Sequence, residues 1–545
     1  MRSFRRATPV AMLASVYMLI SAAAVAENWS QSGNDIRNSR HQAGETTIGP
    51  GNVNLLTTRW VLNTGGDVSA NPAVVDGYAY VGDWAGFFYK VDILTGTQPW
   101  GGPKLLSDYP GSPNFTRNTP AVADGRVIFG DQGGRMFTGA KLVAIDAATG
   151  DWIWTTQLHP NPTSIVTTSP TVHEGVVYVG IASLEEAFAA FIPGYECCTF
   201  IGRMVAVDAA SGEIIWETDM APASESGTVP QESYSGNAIW GSAPAIDVKR
   251  HQLYTATGNN YSSPSLYREC IANAPNKKAQ DACNEKDNYF DSILALDLST
   301  GEINWAERVL TYDTWHVGCS PFLLVPPGTP PGPKINCDYD AGPDFDFGQS
   351  PILYTTDKPR KGSKGSKGSK GSKGSKGSKG SKGSKKRDYV GVGQKSGVYW
   401  ALDPKNGKVR WSTQTGPGGL AGGHQWGSAS DGDTIYTSNA NSGFQPWTLP
   451  DGSGTNSGIF SALNGSDGSI IWQTSNPAFF TAGSPAGVAN GVVYVCSLDP
   501  SGMMFALDAA DGSVLWDQAS GGSCGGGATI VDGIVLWGSG YSSIG

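Results

Sequence analysis

The sequence predicts an all-β chain, an eight-bladed β-propeller whose ring is closed by N- and C-terminal strands. Three observations carry that expectation. An eleven-residue pattern recurs along the chain; 73 glycines and 17 tryptophans accompany a charged fraction of only 16%; and no long amphipathic helical periodicity interrupts the short apolar runs.

The pattern is an apolar pair, Asp, a turn ending in Gly, and Trp four residues after that Gly. Its copies span 90–100 (KVDILTGTQPW), 144–154 (AIDAATGDWIW), 206–216 (AVDAASGEIIW), 295–305 (ALDLSTGEINW), 401–411 (ALDPKNGKVRW), 462–472 (ALNGSDGSIIW) and 506–516 (ALDAADGSVLW). Asp can accept backbone N–H groups across the turn, Gly supplies positive φ, and Trp falls on the outgoing strand. Ahead of most copies lie two more short strands around a Gly turn, as in 71–83 (NPAVVDGYAYVGD). Four antiparallel strands per repeat make one propeller blade. The eighth blade is expected from an orphan strand ending near Trp60 (55–62, LLTTRWVL) together with 529–540 (TIVDGIVLWGSG). Joining the two chain ends would leave no exposed edge. The repeated Asp and Trp are read as turn and packing residues, with no chemical role.

Arg2, Arg5 and Arg6 precede an apolar run from about Pro9 to Ala23, then Ala24-Val25-Ala26 before Glu27. This is the layout of a secretory signal over 1–26. The run is short for a membrane anchor. The propeller is therefore expected over 27–545, periplasmic or secreted, with no transmembrane segment after signal cleavage. A basic Lys-Gly-Ser tract at 358–387 holds thirteen Lys or Arg and no acid, so the remainder of the chain carries −23 against a formal −10 overall. So acidic a body excludes a nucleic-acid role, which needs a basic surface. The tract itself has the composition of a flexible loop inside the propeller. Of the eight cysteines, Cys270 and Cys283, Cys319 and Cys337, and Cys496 and Cys524 bracket local loops, and Cys197-Cys198 are adjacent. In an exported protein local pairing would use all eight. No Cys-x-x-Cys-His occurs, so no c-type haem attaches to this chain.

The repeat with its closing Trp is similar to the quinoprotein alcohol dehydrogenase family. Longer segments resemble the polyvinyl alcohol dehydrogenases within it: SLEEAF, GYECCTFIGRMVAVDAASG, PDFDFGQSPIL, GQKSGVYWALDP, GGHQWGSASDG and GSGYSSIG. The resemblance implies pyrroloquinoline quinone held at the ring centre, Ca²⁺ polarising its reactive carbonyl, and a base that takes the alcohol proton as hydride passes to the quinone. It also implies an alcohol or polymer substrate and a separate electron acceptor, a cytochrome c or a quinone.

Residue by residue, the resemblance makes Glu185 a metal ligand, with Glu186 in reserve, and Asn259 of Thr257-Gly258-Asn259 another, hard oxygen donors suited to Ca²⁺. Trp240 stands where the quinone rests on an indole. Arg117 matches a contact to a cofactor carboxylate, Thr167 a hydroxyl at the cofactor rim, and Trp426 a further tryptophan of the cofactor shell. Lys395 matches the cation that bonds the quinone oxygens. The family's base follows Trp in a D-x-W-D pattern, whereas this chain reads Asp313-Thr314-Trp315-His316. The base is then Asp313, also a metal-ligand candidate, or His316. The vicinal disulfide that the family sets beside the quinone has no cysteine here ahead of Arg117, and Cys197-Cys198 lies instead on the loop after Glu185.

The alternative from another class is a cofactor-free propeller scaffold for protein binding or outer-membrane assembly. A third reading is a propeller that binds cofactor without turnover, since His316 replaces the usual base. The insertions around Glu185, Asn259 and Lys395 favour the enzyme.

Overall fold

The computed structural model describes residues 28–192, 194–223, 228–241, 243–320, 334–337, 339–357 and 386–541. The expected signal at 1–26 and nearly all of the basic tract lie outside them. The strands that flank the tract, Ile352–Asp357 and Lys386–Gly393, pair antiparallel.

Seven antiparallel sheets with four blade strands each follow one another along the chain, the third extended by the short strand Ser164–Ile165. The first is built from Ala73–Val75, Tyr78–Gly82, Phe87–Asp92 and Lys104–Leu105, and the seventh from Gly487–Ala489, Val492–Cys496, Met503–Asp508 and Val514–Ala519. His41–Gln42 adds a parallel strand to the seventh. These are propeller blades, as the repeat requires.

The repeat explains both turn and blade contact. In the first copy the Asp92 carboxylate accepts the N–H groups of Leu94 and Thr95 at 3.0 and 2.9 Å, and Gly96 closes the hairpin at φ 73°. Each repeat Trp then donates its indole N–H to a carbonyl in the turn of the next blade. The bonds run Trp100 to Ala148, Trp154 to Ala209, Trp216 to Leu298, Trp305 to Pro404, Trp411 to Gly465 and Trp472 to Ala509, all at 3.0–3.2 Å. The turn glycine is also required by proximity: a Cβ on Gly212 would lie 2.7 Å from the Trp154 ring.

Where an eighth blade was expected, only a two-stranded sheet forms, Thr529–Val531 with Ile534–Leu536, lying between the first and seventh blades. Residues 56–63 form no strand, so the expected strand closure is not made among the described residues. The physical reason is separation: a cavity of about 680 Å³ lies between Leu55–Leu62 and the strand Ile534–Leu536. The indole circuit nevertheless passes through this segment, since Trp516 donates to Leu56 O at 3.3 Å and Trp60 to Ile93 O at 2.9 Å.

All eight cysteines are paired as local spacing suggested: Cys197–Cys198, Cys270–Cys283, Cys319–Cys337 and Cys496–Cys524. The second of these ties helix α2 (Ser265–Asn273) to the turn just after helix α3 (Lys277–Asp281) in the fourth-blade insertion. Among the described residues no helix is long and apolar enough to cross a membrane.

Candidate functional site

Arg117, Thr167, Trp240 and Trp426 each sit a few residues ahead of the innermost strand of a blade, where chain from successive blades meets at the ring centre. Lys395 occupies the turn between two strands of the fifth blade, and Asn259 lies three residues past the strand Gln252–Ala256 of the fourth. The structure joins these residues into one connected cluster.

Its hub is Asp346, in the loop that leads into Ile352. Its Oδ2 accepts the Trp240 indole N–H at 2.7 Å and its Oδ1 the Asn259 backbone N–H at 3.2 Å. Lys395 Nζ donates to Asp344 Oδ1 at 2.9 Å and lies 3.5 Å from Asp346 Oδ2 and 5.1 Å from the Trp240 ring centre. Two glycines make this packing possible. A Cβ on Gly258 would meet Asp346 Oδ2 at 2.9 Å, and one on Gly348 would meet the Trp240 ring at 2.5 Å. Thr167 Oγ1 donates to Trp240 O at 2.8 Å. Trp240 and Trp426 stand edge to face, centroids 5.4 Å apart. The Arg117 guanidinium lies 4.8 Å from the Trp426 ring and 5.4 Å from both Trp84 and Tyr541, and donates to Tyr541 Oη at 2.7 Å.

Acid is concentrated around the single Lys395 ammonium. Burial alone would lower the lysine pKa, but Asp344, Asp346 and Glu186 outweigh it and raise it. Burial, reinforced by the Asp346 charge, pushes Glu186 up to about 7. Burial likewise raises Asp344 well above its ordinary value, with Lys395 opposing. Asp313 rises to about 7 through burial, although the backbone N–H groups of Phe345 and Asp344 bond its carboxylate at 2.7 and 3.1 Å. Asp291 faces Asp313, and burial together with that charge raises it further. Two such carboxylates cannot both ionise, so the pair is held with one of them neutral.

Three of the expected residues are placed as follows. Glu185 is buried with its oxygens occupied by the Tyr195 hydroxyl, the Thr199 N–H and hydroxyl, and the Phe200 N–H at 2.7–3.0 Å; it anchors a loop. Its neighbour Glu186, on the same helix α1 (Glu185–Phe191), is the one whose charge couples to Asp346 and Lys395. His316 is unsuited to act as base: Nδ1 accepts the Gly318 N–H at 3.2 Å, Nε2 bonds Asn336 O at 3.0 Å, and burial lowers its pKa to about 4. It lies beside Cys319 and Cys337, whose sulfurs are bonded to each other. Asp313 does join the acid cluster, but Asp346 is the carboxylate in contact with Trp240, Asn259 and Lys395. Sequence reasoning assigned no role to Asp291, Asp344 or Asp346. The Asp-Phe-Asp of PDFDFGQSPIL was the available signal for the last two.

Cys197 and Cys198 pack in an apolar cluster with Phe200, Ala238 and Tyr261, against which Trp240 also leans. The pair thus staples the loop behind the Trp240 wall.

Comparison with known proteins gives the same direction. A family model, PQQ_2, described as outer membrane protein assembly factor BamB, matches residues 57–307 and 455–541. A polyvinylalcohol dehydrogenase from Pseudomonas sp is 30% identical over 418 residues, covering 75% of this chain and 54% of that protein. A quinohemoprotein alcohol dehydrogenase from Comamonas testosteroni is 26% identical over 56% of this chain and 42% of its own length. The chain thus spans about half the length of the curated relatives it matches. Among solved structures, the quinohemoprotein alcohol dehydrogenase ADHIIG from Pseudomonas putida HK5 superposes with a TM-score of 0.64 at 18% identity, over 94% of this chain and 76% of that one. At that identity the likeness establishes the fold. The resemblance read from the loop segments to polyvinyl alcohol dehydrogenases is borne out by these relatives.

Proposed function

The chain belongs to the PQQ_2 family, and from that premise we propose that it is a quinoprotein alcohol dehydrogenase. In this reading it depends on pyrroloquinoline quinone and Ca²⁺ and oxidises secondary alcohols, polyvinyl alcohol among them. Electrons pass to a separate acceptor, a cytochrome c or a quinone, in the periplasm or outside the cell. The observation that carries the proposal is the contact set of Asp346: an indole N–H, a backbone N–H and a lysine ammonium converge on one carboxylate at the ring centre.

The residues fit the implied groups. Asn259 Oδ1 is buried without a partner. With Glu186, Asp313, Asp344 and Asp346 nearby, one lysine is too little positive charge for so many carboxylates. Hard oxygens that lack countercharge suit a divalent cation such as Ca²⁺. Asn259, Glu186 and Asp346 would hold the ion, and Trp240, Trp426, Thr167 and Arg117 would hold the quinone. Bound there, the quinone supplies the two-electron oxidant and the calcium ion the Lewis acid.

The chain's own part follows from the geometry. Asp346 takes the carbinol proton, its carboxylate aimed by Trp240 and Asn259. Lys395 presents fixed positive charge where negative charge develops on reduction, and Asp344 holds the ammonium in position. Trp240 and Trp426 form apolar walls that exclude water. The cofactor-free scaffold reading calls for a funnel whose polar groups satisfy one another, and the unpaired Asn259 oxygen speaks against it. We keep the eighth-blade reading as well, supported by the Trp516–Leu56 and Trp60–Ile93 bonds.

Titrating the purified cofactor-free chain with pyrroloquinoline quinone, with and without Ca²⁺, by calorimetry and absorbance tests the proposal. Stoichiometric binding that Ca²⁺ tightens supports it. No binding under either condition rejects it.

A further inference from the structure

Between the seventh and first blades three of the four strand positions of a blade are filled. Thr529–Val531 lies against the innermost strands of those two blades, Gly487–Ala489 and Ala73–Val75, which is the first-strand position. Ile534–Leu536 pairs with it as a second strand would. Trp60 stands where a fourth strand carries its indole: it donates to Ile93 O, directly after Asp92, as Trp154 donates to Ala209 after Asp208 and Trp216 to Leu298 after Asp297. Among the described residues no strand separates Ile534–Leu536 from the segment at 56–62. The cavity of about 680 Å³ separates them instead. A residue in a stacked sheet fills about 160 Å³, from a rise of ~3.4 Å, a strand spacing of ~4.8 Å and a sheet separation of ~10 Å. The cavity is therefore the room of about four residues of one strand.

Both walls are unfinished. The outer edge of Ile534–Leu536 has no paired strand among the described residues, whereas the second strand of the seventh blade, Val492–Cys496, is paired along its length with Met503–Asp508. Leu56, Trp60, Leu62, Ile534, Val535 and Trp537 are only partly buried, while every residue of Val492–Cys496 is 1% exposed or less. An apolar small molecule could cover those side chains but would leave the strand edge unpaired. An extended polypeptide supplies main-chain hydrogen bonds and alternating side chains together. The complete blades specify what it must carry. In six of the seven the third strand sets Ala directly opposite the repeat Trp, as Ala144 faces Trp154, Ala206 faces Trp216 and Ala506 faces Trp516. The small side chain leaves room for the indole, and apolar residues on either side of it fill the blade.

We propose that this gap is a docking groove for one β-strand of a separate polypeptide, patterned as the repeat's third strand: apolar residues around a small one that faces Trp60, with Asp at the end. The strand adds antiparallel to Ile534–Leu536 on one side and to the segment at 56–62 on the other, and so completes the ring by strand addition. The proposal rests on the eighth-blade reading and is independent of the quinone chemistry.

The test uses the purified full chain without quinone and a synthetic peptide of residues 139–148 (GAKLVAIDAA), the third strand of the second blade with its flanks. Calorimetry should show one peptide per chain, and Tm should rise with peptide concentration. Hydrogen exchange should slow at 55–62 and 534–537 while the seven blades stay unchanged. Two altered peptides leave the chain itself untouched. Val143→Pro removes a backbone donor and Ala144→Trp crowds Trp60, and each should weaken binding by about tenfold or more. In the chain, Trp60→Phe cannot donate to Ile93 and should lower Tm with or without peptide, which tells a misplaced segment from a failure to dock. No binding and no change in exchange, in a chain whose Tm falls with Trp60→Phe, overturns the proposal. Equal binding of the proline peptide overturns it too, by making the groove a site for any apolar chain. So does a dimer in sedimentation that protects 534–537 without peptide, which makes a second copy the occupant. A Tm unmoved by Trp60→Phe rejects the eighth-blade placement, and the proposal with it.

Discussion

Lys395 Nζ lies 2.9 Å from Asp344 Oδ1, an ion pair buried at the ring centre with side-chain exposures of 8% and 2%. Removing one partner of a buried pair strands the other, so Lys395→Met should cost about 3–5 kcal/mol of stability. If the cation also stabilises reduction, dye-linked turnover should fall by about 10²-fold or more, with Lys395→Arg retaining more of both. Thermal melts beside steady-state assays separate the two effects.

Asp346→Asn keeps an acceptor for the Trp240 indole but removes the proton-accepting carboxylate. Turnover should drop by roughly 10²–10⁴-fold while quinone binding persists in a calorimetric titration. Asp313→Asn and His316→Gln should each reduce turnover less. Equal loss in His316→Gln would return the base to that position.

Calcium affinity should depend on pH around neutrality. Glu186 and Asp313 both titrate at about 7, raised chiefly by burial, and a proton on either competes with the ion. Affinity should fall as pH drops from 8 to 6, by up to about tenfold per unit for each group that must deprotonate. A calcium titration across that range reads the slope directly.

His424 gives a stability prediction with a definite sign. It is fully buried, bonded to Ser438 O at 2.9 Å and Thr415 Oγ1 at 2.8 Å, and burial lowers its pKa to about 4. Above pH ~6.5 the ring is neutral in folded and unfolded chains alike. Between about 6.5 and 4 the unfolded chain takes up a proton that the folded chain refuses, so the group reduces stability as pH falls, by about 3 kcal/mol at most. His424→Gln should flatten the denaturation midpoint across that window relative to the parent chain.

The indole circuit makes the seventh-blade junction distinctive. Trp216→Ala, between two complete blades, should destabilise the whole ring by about 3–5 kcal/mol. Trp516→Ala removes the bond to Leu56, where no strand ladder backs it up. Hydrogen exchange should therefore rise first at residues 50–64 in that variant, with the seven blades still protected.

The blades could be read from sequence because each is encoded locally. Asp92, Gly96 and the Trp four residues later specify a turn, a positive φ and a docking indole within eleven residues. The eighth position could not be read in the same way, since Leu55–Leu62 has blade-like composition but its pairing depends on how far it stands from Ile534–Leu536. Trp240, Asn259 and Lys395 were singled out through family-like segments, and the structure brings them together on Asp346. Asp346 was hidden by a competing pattern, because Asp313-Thr314-Trp315-His316 carries the D-x-W spacing while the contacts belong to the acid pair at 344 and 346. Glu185 and Glu186 differ only in which way a helix turn points them, and one-dimensional spacing does not separate neighbours on a first helical turn.

The central claim is tested most directly by dye-linked oxidation of polyvinyl alcohol and small secondary alcohols by the purified chain, with and without added pyrroloquinoline quinone and Ca²⁺. The account predicts oxidation that requires both additions and is lost in Asp346→Asn. Absence of oxidation with both present, in a chain that melts cooperatively, would contradict it.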